Sequence, residues 1–260
     1  MTLFASCVPV SKMKYTEQNA AIIGSWKNKY DLPWMEPISH EDYLRAAAGE
    51  EIMTLTPLRR VPFSWYGDCR GKKVLGLAAG GGQQMAILSA LGADCTVFDL
   101  SDVQLDADRA VSEREGYPLV CVKGDMTEPL PFADGCFDMV VNPVSNHYIR
   151  DVFPVFREIY RVLKPGGVFL AGLDTGVYWA FWGGEGPVNR LPFDPLTDAD
   201  LRQRLMDEDM SLVFSHTLEE QIGGQLKAGF LLRDLLEDTN EAGPFYDCNV
   251  PTFILTRAEK

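Results

Sequence analysis

Residues 72–84, Lys-Lys-Val-Leu-Gly-Leu-Ala-Ala-Gly-Gly-Gly-Gln-Gln, carry an apolar strand straight into three consecutive glycines and on into a helix-forming segment. A backbone so free of side chains lets a ligand approach closely. After the glycines, Met85, Ala86, Leu88 and Leu91 recur at helical spacing as far as Gly92. Thr96-Val97-Phe98-Asp99 then reads as a second strand ending in a carboxylate. Glycines between a first strand and a helix, with an acid at the tip of the next strand about 20 residues on, form the nucleoside-binding corner of a doubly wound α/β fold. An ionised carboxylate at that tip can accept hydrogen bonds from both ribose hydroxyls.

Working outward, Ser101 and Asp102 open a helix that runs to about Glu115 and stops at Gly116. Leu119–Lys123 is a third strand, closed by Gly124-Asp125, and Cys136–Val141 is a fourth. Val155, Phe156, Ile159, Val162 and Leu163 make residues 151–163 an amphipathic helix, which Pro165-Gly166-Gly167 should end before a strand over 168–173. Strands alternating with helices in this way predict a parallel sheet. Past Asp174 the alternation breaks: residues 174–197 are rich in Gly, Pro and aromatics. Helices at about 198–206 and 217–228 and strands at 230–236 and 252–256 complete the chain. The first 70 residues contain helical pieces near 17–30 and 40–49 and no strand pattern.

With 260 residues, 46% of them hydrophobic, the chain can bury one large core with room for a cap or insertion. Its net charge of −13 argues against a nucleic-acid backbone as partner. The six cysteines, Cys7, Cys69, Cys95, Cys121, Cys136 and Cys248, are scattered without a C-x-x-C pair, which speaks against a zinc site or redox dithiol and for a reducing, cytoplasmic setting. No basic residue precedes the short apolar run near Met1, and no stretch is long enough to span a bilayer, so neither secretion nor a membrane is expected. All five tryptophans, Trp26, Trp34, Trp65, Trp179 and Trp182, lie outside residues 71–172, where they either staple the flanking segments down or line a pocket.

A nicotinamide fingerprint starting at Gly80 would need its third glycine where Met85 stands, and no phosphate-binding G-x-x-x-x-G-K-[ST] occurs. Val74-Leu-Gly-Leu-Ala-Ala-Gly-Gly-Gly82 instead resembles the first motif of class I S-adenosylmethionine-dependent methyltransferases of the type 11 kind. The resemblance continues in order through Val97-Phe-Asp99-Leu-Ser, Gly124-Asp125-Met-Thr-Glu-Pro-Leu-Pro-Phe, Phe137-Asp-Met-Val-Val-Asn142 and Glu158-Ile-Tyr-Arg-Val-Leu-Lys-Pro-Gly-Gly-Val-Phe-Leu170.

This resemblance implies a mostly parallel, seven-stranded Rossmann-like sheet. Residues 1–70 would form a helical N-terminal cap, residues 71–260 the cofactor-binding domain, and residues 174–215 a lid or substrate insertion after the fifth strand. It also implies cofactor contacts. Ala78, Ala79, Gly80 and Gly82 would shape the turn beneath the methionine part, Asp99 with Leu100 would meet the ribose, Asp125 with Met126 would meet the adenine edge, and Asn142 would lie beside the methionine moiety. At Gly76 the family commonly carries an acid that holds the cofactor's amino-acid end, and Gln83, Gln84 or the N-terminal segment would have to compensate.

Methyl transfer from a sulfonium is an in-line displacement with an electrophile already activated, so alignment and desolvation do most of the work. A base is needed only if the nucleophile must lose a proton. His147 and Tyr148, just past the fourth strand, are the local candidates, and the residue pattern offers no metal site. The expectation is a methyltransferase acting on a small-molecule acceptor, with oligomeric state open. The alternatives are a nonenzymatic binding protein that keeps the fold and a nicotinamide-dependent oxidoreductase.

Overall fold

Strand alternation explains how the sheet is covered on both faces. Val74, Met139, Val141 and Leu170 point into one buried cluster, whereas Leu75, Leu77, Val140 and Phe169 point into another. The computed structural model describes residues 13–26, 29–30, 32, 35–184 and 186–260. Cys7, Trp34 and the expectation drawn from the run near Met1 lie outside the described residues.

The strands are β1 (Lys73–Leu77), β2 (Asp94–Asp99), β3 (Leu119–Lys123), β4 (Phe137–Asn142), β5 (Leu163–Asp174), β6 (Leu231–Asp238) and β7 (Phe253–Glu259), joined in the order β3-β2-β1-β4-β5-β7-β6. The pairs β3–β2, β2–β1, β1–β4 and β4–β5 are parallel, and β7 runs antiparallel to both β5 and β6. Strand order reverses between β1 and β4, and such a switch point opens a crevice at the carboxyl ends of the strands.

The helices are α1 (Tyr15–Trp26), α2 (His40–Ala47), α3 (Phe63–Tyr66), α4 (Gln84–Ala90), α5 (Asp102–Glu115), α6 (Phe153–Val162), α7 (Val177–Phe181), α8 (Ala199–Asp207), α9 (Leu218–Ala228) and α10 (Pro244–Asp247). Their ends follow local chemistry. The Ser101 hydroxyl caps α5, which stops at left-handed Gly116. Asp198 caps α8, and Thr217 with Glu220 forms a capping box on α9. Helices α4 and α5, with residues 38–69, cover one face of the sheet. On the other face α6 presses Val155, Phe156, Ile159 and Val162 into the second cluster and packs against α9.

Two details differ from the sequence expectation. Pro165-Gly166-Gly167 does not separate α6 from β5, because the strand starts at Leu163, pairs with Phe137, and absorbs the three residues in a register shift. Helices α3, α7 and α10 were not expected, since four or five residues show no helical period.

Most of the tryptophans tie segments together. The Trp26 indole donates to the Asp209 carbonyl and the Trp65 indole to the Asp234 carboxylate, each at 3.0 Å. The Arg204 guanidinium lies 4.6 Å over Trp182. Trp179, Leu201, Leu205, Leu212, Val213 and Phe214 form a separate small core within residues 174–215.

Candidate active site

The carboxyl ends of β1, β2, β4 and β5 open into one cavity of about 930 Å³. Helix α1 and residues 36–57 wall it on one side, and Asp174, Tyr178 and Trp179 on another.

At one end Asp99 stands at the tip of β2, partly buried. Its Oδ2 accepts the Gly80 N–H at 3.0 Å and its Oδ1 the Ser101 N–H at 2.9 Å. Burial pushes its carboxyl above the usual range, and these amides pull it back. Asp125 follows β3. Its Oδ1 accepts the Thr127 N–H and hydroxyl at 2.9 and 2.7 Å, and its Oδ2 accepts the Thr16 hydroxyl of α1 at 2.7 Å. Ala78, Gly80, Leu100 and Met126 join these two carboxylates in the cavity wall, with the Phe98 ring beside them. Ala78 takes a left-handed φ of 46°, which turns the chain out of β1 into the glycines.

Other expected contacts lie behind the wall. Ala79 and Gly82 are buried and do not face the cavity. Asn142 is fully buried as well. Its Nδ2 donates to the Leu77 carbonyl at 2.7 Å and to the Ser145 hydroxyl at 2.8 Å, so it braces the ends of β1 and β4. An acid at the Gly76 position would have to displace the Met85 side chain, because a Cβ there would sit 2.8 Å from the Met85 Sδ. Gln83 and Gln84 do line the cavity, yet their amides donate to the Glu36 and Thr54 carbonyls, tying α4 to the N-terminal segment.

The other end is assembled from segments distant in sequence. Residues 54–57 lie directly on β5, where Gly172 permits it: a Cβ there would stand 2.1 Å from the Leu55 carbonyl oxygen. That carbonyl accepts the Val144 N–H at 3.1 Å, which locks the segment to the loop after β4. Thr56 Oγ1, His147 Nδ1 and Asn240 Oδ1 are buried polar atoms in this part of the lining without a hydrogen-bond partner.

His147 and Tyr148 both face the cavity and touch each other, with ring centroids 3.9 Å apart. The expectation of a base working near neutral pH is corrected here. Burial, reinforced by the His216 ring, pushes the His147 pKa down to about 3, so the ring is neutral and a weak proton acceptor. Burial and the Asp174 carboxylate raise the Tyr148 pKa, so its phenol stays protonated.

Asp174, at the tip of β5, was not singled out from sequence. Its Oδ1 accepts the Gly176 N–H at 2.5 Å and its Oδ2 the Trp179 indole N–H at 3.2 Å, and burial pushes its pKa up to about 6. An acid closing an apolar strand, as Asp99 does, was the available signal. Thr56 and Asn240 gave none, since only the fold brings residues 56 and 240 into one cavity wall.

The described cysteines are free thiols. Among the described residues no helix is long and apolar enough to cross a membrane, and no group of three or more His, Cys, Asp and Glu could hold a metal ion.

A methyltransferase domain family matches residues 75–171, the strands and helices that carry this corner. An uncharacterised methyltransferase of Bacillus subtilis, YbaJ, is 35% identical over 246 residues, covering 91% of this chain and 96% of its own length. The chain is a class I S-adenosylmethionine-dependent methyltransferase. An uncharacterised methyltransferase of Synechocystis is 32% identical over 166 residues, covering 63% of this methyltransferase and 73% of its own length. A crystal structure of an S-adenosylmethionine-dependent methyltransferase from Mesorhizobium loti superposes with a TM-score of 0.60 at 20% identity, covering 76% of this chain and 94% of that one, which shows the shared fold. Membership makes S-adenosylmethionine the implied methyl donor of this methyltransferase, and nothing favours nicotinamide.

Proposed function

We propose that the methyltransferase binds S-adenosylmethionine along the β1–β2–β3 edge of the cavity and methylates a small, neutral or cationic acceptor held at the β5 end. The observation that carries this reading is one continuous cavity that holds Asp99 and Asp125 together with the unpartnered buried polar atoms of Thr56, His147 and Asn240. Asp99 keeps lone pairs free beyond the Gly80 and Ser101 amides, which suits a ribose diol. Phe98, Leu100 and Met126 supply an apolar bed for adenine, with the Asp125 carboxylate and the Met126 amide toward its edge.

When bound, S-adenosylmethionine supplies a methyl group on a positively charged sulfur, open to attack from the side opposite that sulfur. The wall around it carries six carboxylates (Glu36, Asp42, Asp99, Asp125, Asp174 and Glu241) against two guanidinium groups (Arg45 and Arg60). Such a wall attracts a cation and repels an anionic acceptor. Both arginines are already held, Arg45 by Asp42 and Glu50 and Arg60 by the Glu51 carbonyl.

Thr56, neutral His147 and Asn240 orient the acceptor by hydrogen bonds, and Tyr178 and Trp179 exclude water. Holding the reacting atoms in line contributes about 7–11 kcal/mol. If the nucleophile loses a proton on transfer, Asp174 is the group placed to take it, being largely ionised at neutral pH and facing the cavity. The flanking residues 15–66 and 174–215 thereby act as the cap and lid of the site, and the cytoplasm is the compartment that suits the free thiols.

Calorimetric titration with S-adenosylmethionine and S-adenosylhomocysteine tests the reading. One-to-one binding is expected; no heat and no thermal shift at millimolar ligand would remove it. Turnover across a panel of amines and neutral heteroaromatics, set against carboxylates and phosphates, tests the acceptor class.

A further inference from the structure

Behind the glycine loop, on the side away from the cavity, lies a carboxylate with no part in the function described above. Asp108, in the second turn of α5, has 0% of its surface exposed. Its Oδ2 accepts the Gly81 N–H at 2.8 Å, and the neighbouring Gly82 amide also favours the charged carboxylate. Its Oδ1 has no hydrogen-bond partner. None of the ion pairs among the described residues includes it.

Helix α5 presses on this loop closely. A Cβ at Gly80 would sit 2.7 Å from the Gln104 Cβ, and one at Gly82 would sit 2.8 Å from the Val111 Cγ2. Gly81 and Gly82 take left-handed φ values of 127° and 75°. From the far side, the Ile38 N–H donates to the Gly82 carbonyl at 3.0 Å. The glycine loop is thus gripped between α5 and the N-terminal segment, with Asp108 fixing which way its amides point.

We infer that Asp108 is the positioning residue of the glycine loop, that it must be ionised to hold the loop ready for the cofactor, and that cofactor binding therefore releases a proton. The inference rests on the cofactor assignment of the cavity. Hydrogen bonds from amides to a carboxylate are roughly twice as strong as those to a neutral acceptor, so protonation loosens the loop. A proton on Oδ1 would have no acceptor, and a proton on Oδ2 would compete with the Gly81 amide.

The surroundings put the change of state near neutrality. Burial, with the Asp99 charge from β2, pushes the Asp108 pKa up to about 7, against the pull of the Gly81 and Gly82 amides and of Arg109 on its own helix. The other titratable neighbours are Tyr117 just past α5, Cys95 on β2 and Cys121 on β3, and burial raises the pKa of each, so all three remain neutral across this range. The cationic sulfonium donor then favours the ionised form, and by linkage proton release favours the donor.

Calorimetric titration of the wild type and of Asp108→Asn with S-adenosylmethionine from pH 6 to 8 tests this. Wild-type affinity should rise about tenfold relative to the variant across that range, and the variant should keep the weak low-pH affinity throughout. The amino group of the ligand titrates equally with both proteins and cancels in the comparison. In parallel, the Gly81 and Gly82 amide resonances of the ligand-free wild type should titrate together with a midpoint near 7, a readout that needs neither ligand nor variant. Parallel affinity profiles, or amide shifts flat from pH 6 to 8, would overturn the inference. Absence of binding to either protein at every pH would overturn the cofactor assignment instead, while the amide titration would still decide the role of Asp108.

Discussion

The two ends of the cavity are built in opposite ways. At the cofactor end each carboxylate has a partner two residues along the chain, Ser101 for Asp99 and Thr127 for Asp125, with Gly80 and Thr16 reaching them from farther off. At the acceptor end Leu55 lies on Gly172, and Thr56, His147, Asp174 and Asn240 arrive from four separate segments. The first end is a property of strand tips and can be shared by many enzymes. The second depends on loops laid over the sheet, where specificity can change without disturbing the scaffold.

The largest expected effect breaks the first end. Asp99→Ala removes a charged acceptor from the ribose position and releases the Gly80 and Ser101 amides. It should weaken S-adenosylmethionine binding by about 1.5–3 kcal/mol, read by calorimetry on a variant with unchanged circular dichroism. An unaltered dissociation constant would show that the ribose lies elsewhere.

Gly172→Ala strikes the second end. Its Cβ must push residues 54–57 off β5, and such overpacking costs about 1–3 kcal/mol. The melting temperature should fall while S-adenosylmethionine affinity holds, because the collision is confined to the β5 side. A loss of cofactor affinity matching the loss of stability would mean that the two ends are not separable.

His147 sharpens the comparison through pH. In the unfolded chain its ring takes a proton near pH 6.5, and in the fold only near 3. Between those values the unfolded state binds more protons, so stability is lost as pH falls through the window. At pH 5 the site should cost about 2 kcal/mol relative to pH 7, and His147→Gln should remove that part of the acid sensitivity in denaturant titrations. Equal sensitivity of the two proteins would place the ring in water.

The smallest effect concerns α1. Thr16→Val deletes the hydroxyl that reaches Asp125 and should weaken cofactor binding by about 1 kcal/mol, as loss of one hydrogen bond does. A change in thermal stability with no change in affinity would confine α1 to a packing role.

What the sequence revealed follows the same divide. The strand tips, the glycine turn and the cap at Ser101 were legible because each depends on residues within a few positions of one another. Gly76 read as a missing acid, and the fold shows the Met85 side chain in the space such an acid would need. The resemblance implied Asn142 as a cofactor contact, whereas its amide nitrogen turns inward to Leu77 and Ser145. His147 had the right residue type at the right place, and only its burial determines that it stays neutral. Thr56 and Asn240 could not be read at all, since their place in one cavity wall depends on how residues 54–57 and the loop after β6 lie on the sheet.

The most direct test is a crystal structure of the protein with S-adenosylhomocysteine. The account predicts ribose hydroxyls on the Asp99 carboxylate, adenine between Phe98 and Met126 with its edge toward Asp125, and the sulfur directed at the space bounded by Thr56, His147 and Asp174. Adenine seated at the Asp174 end, or a ligand bound outside this cavity, would contradict it.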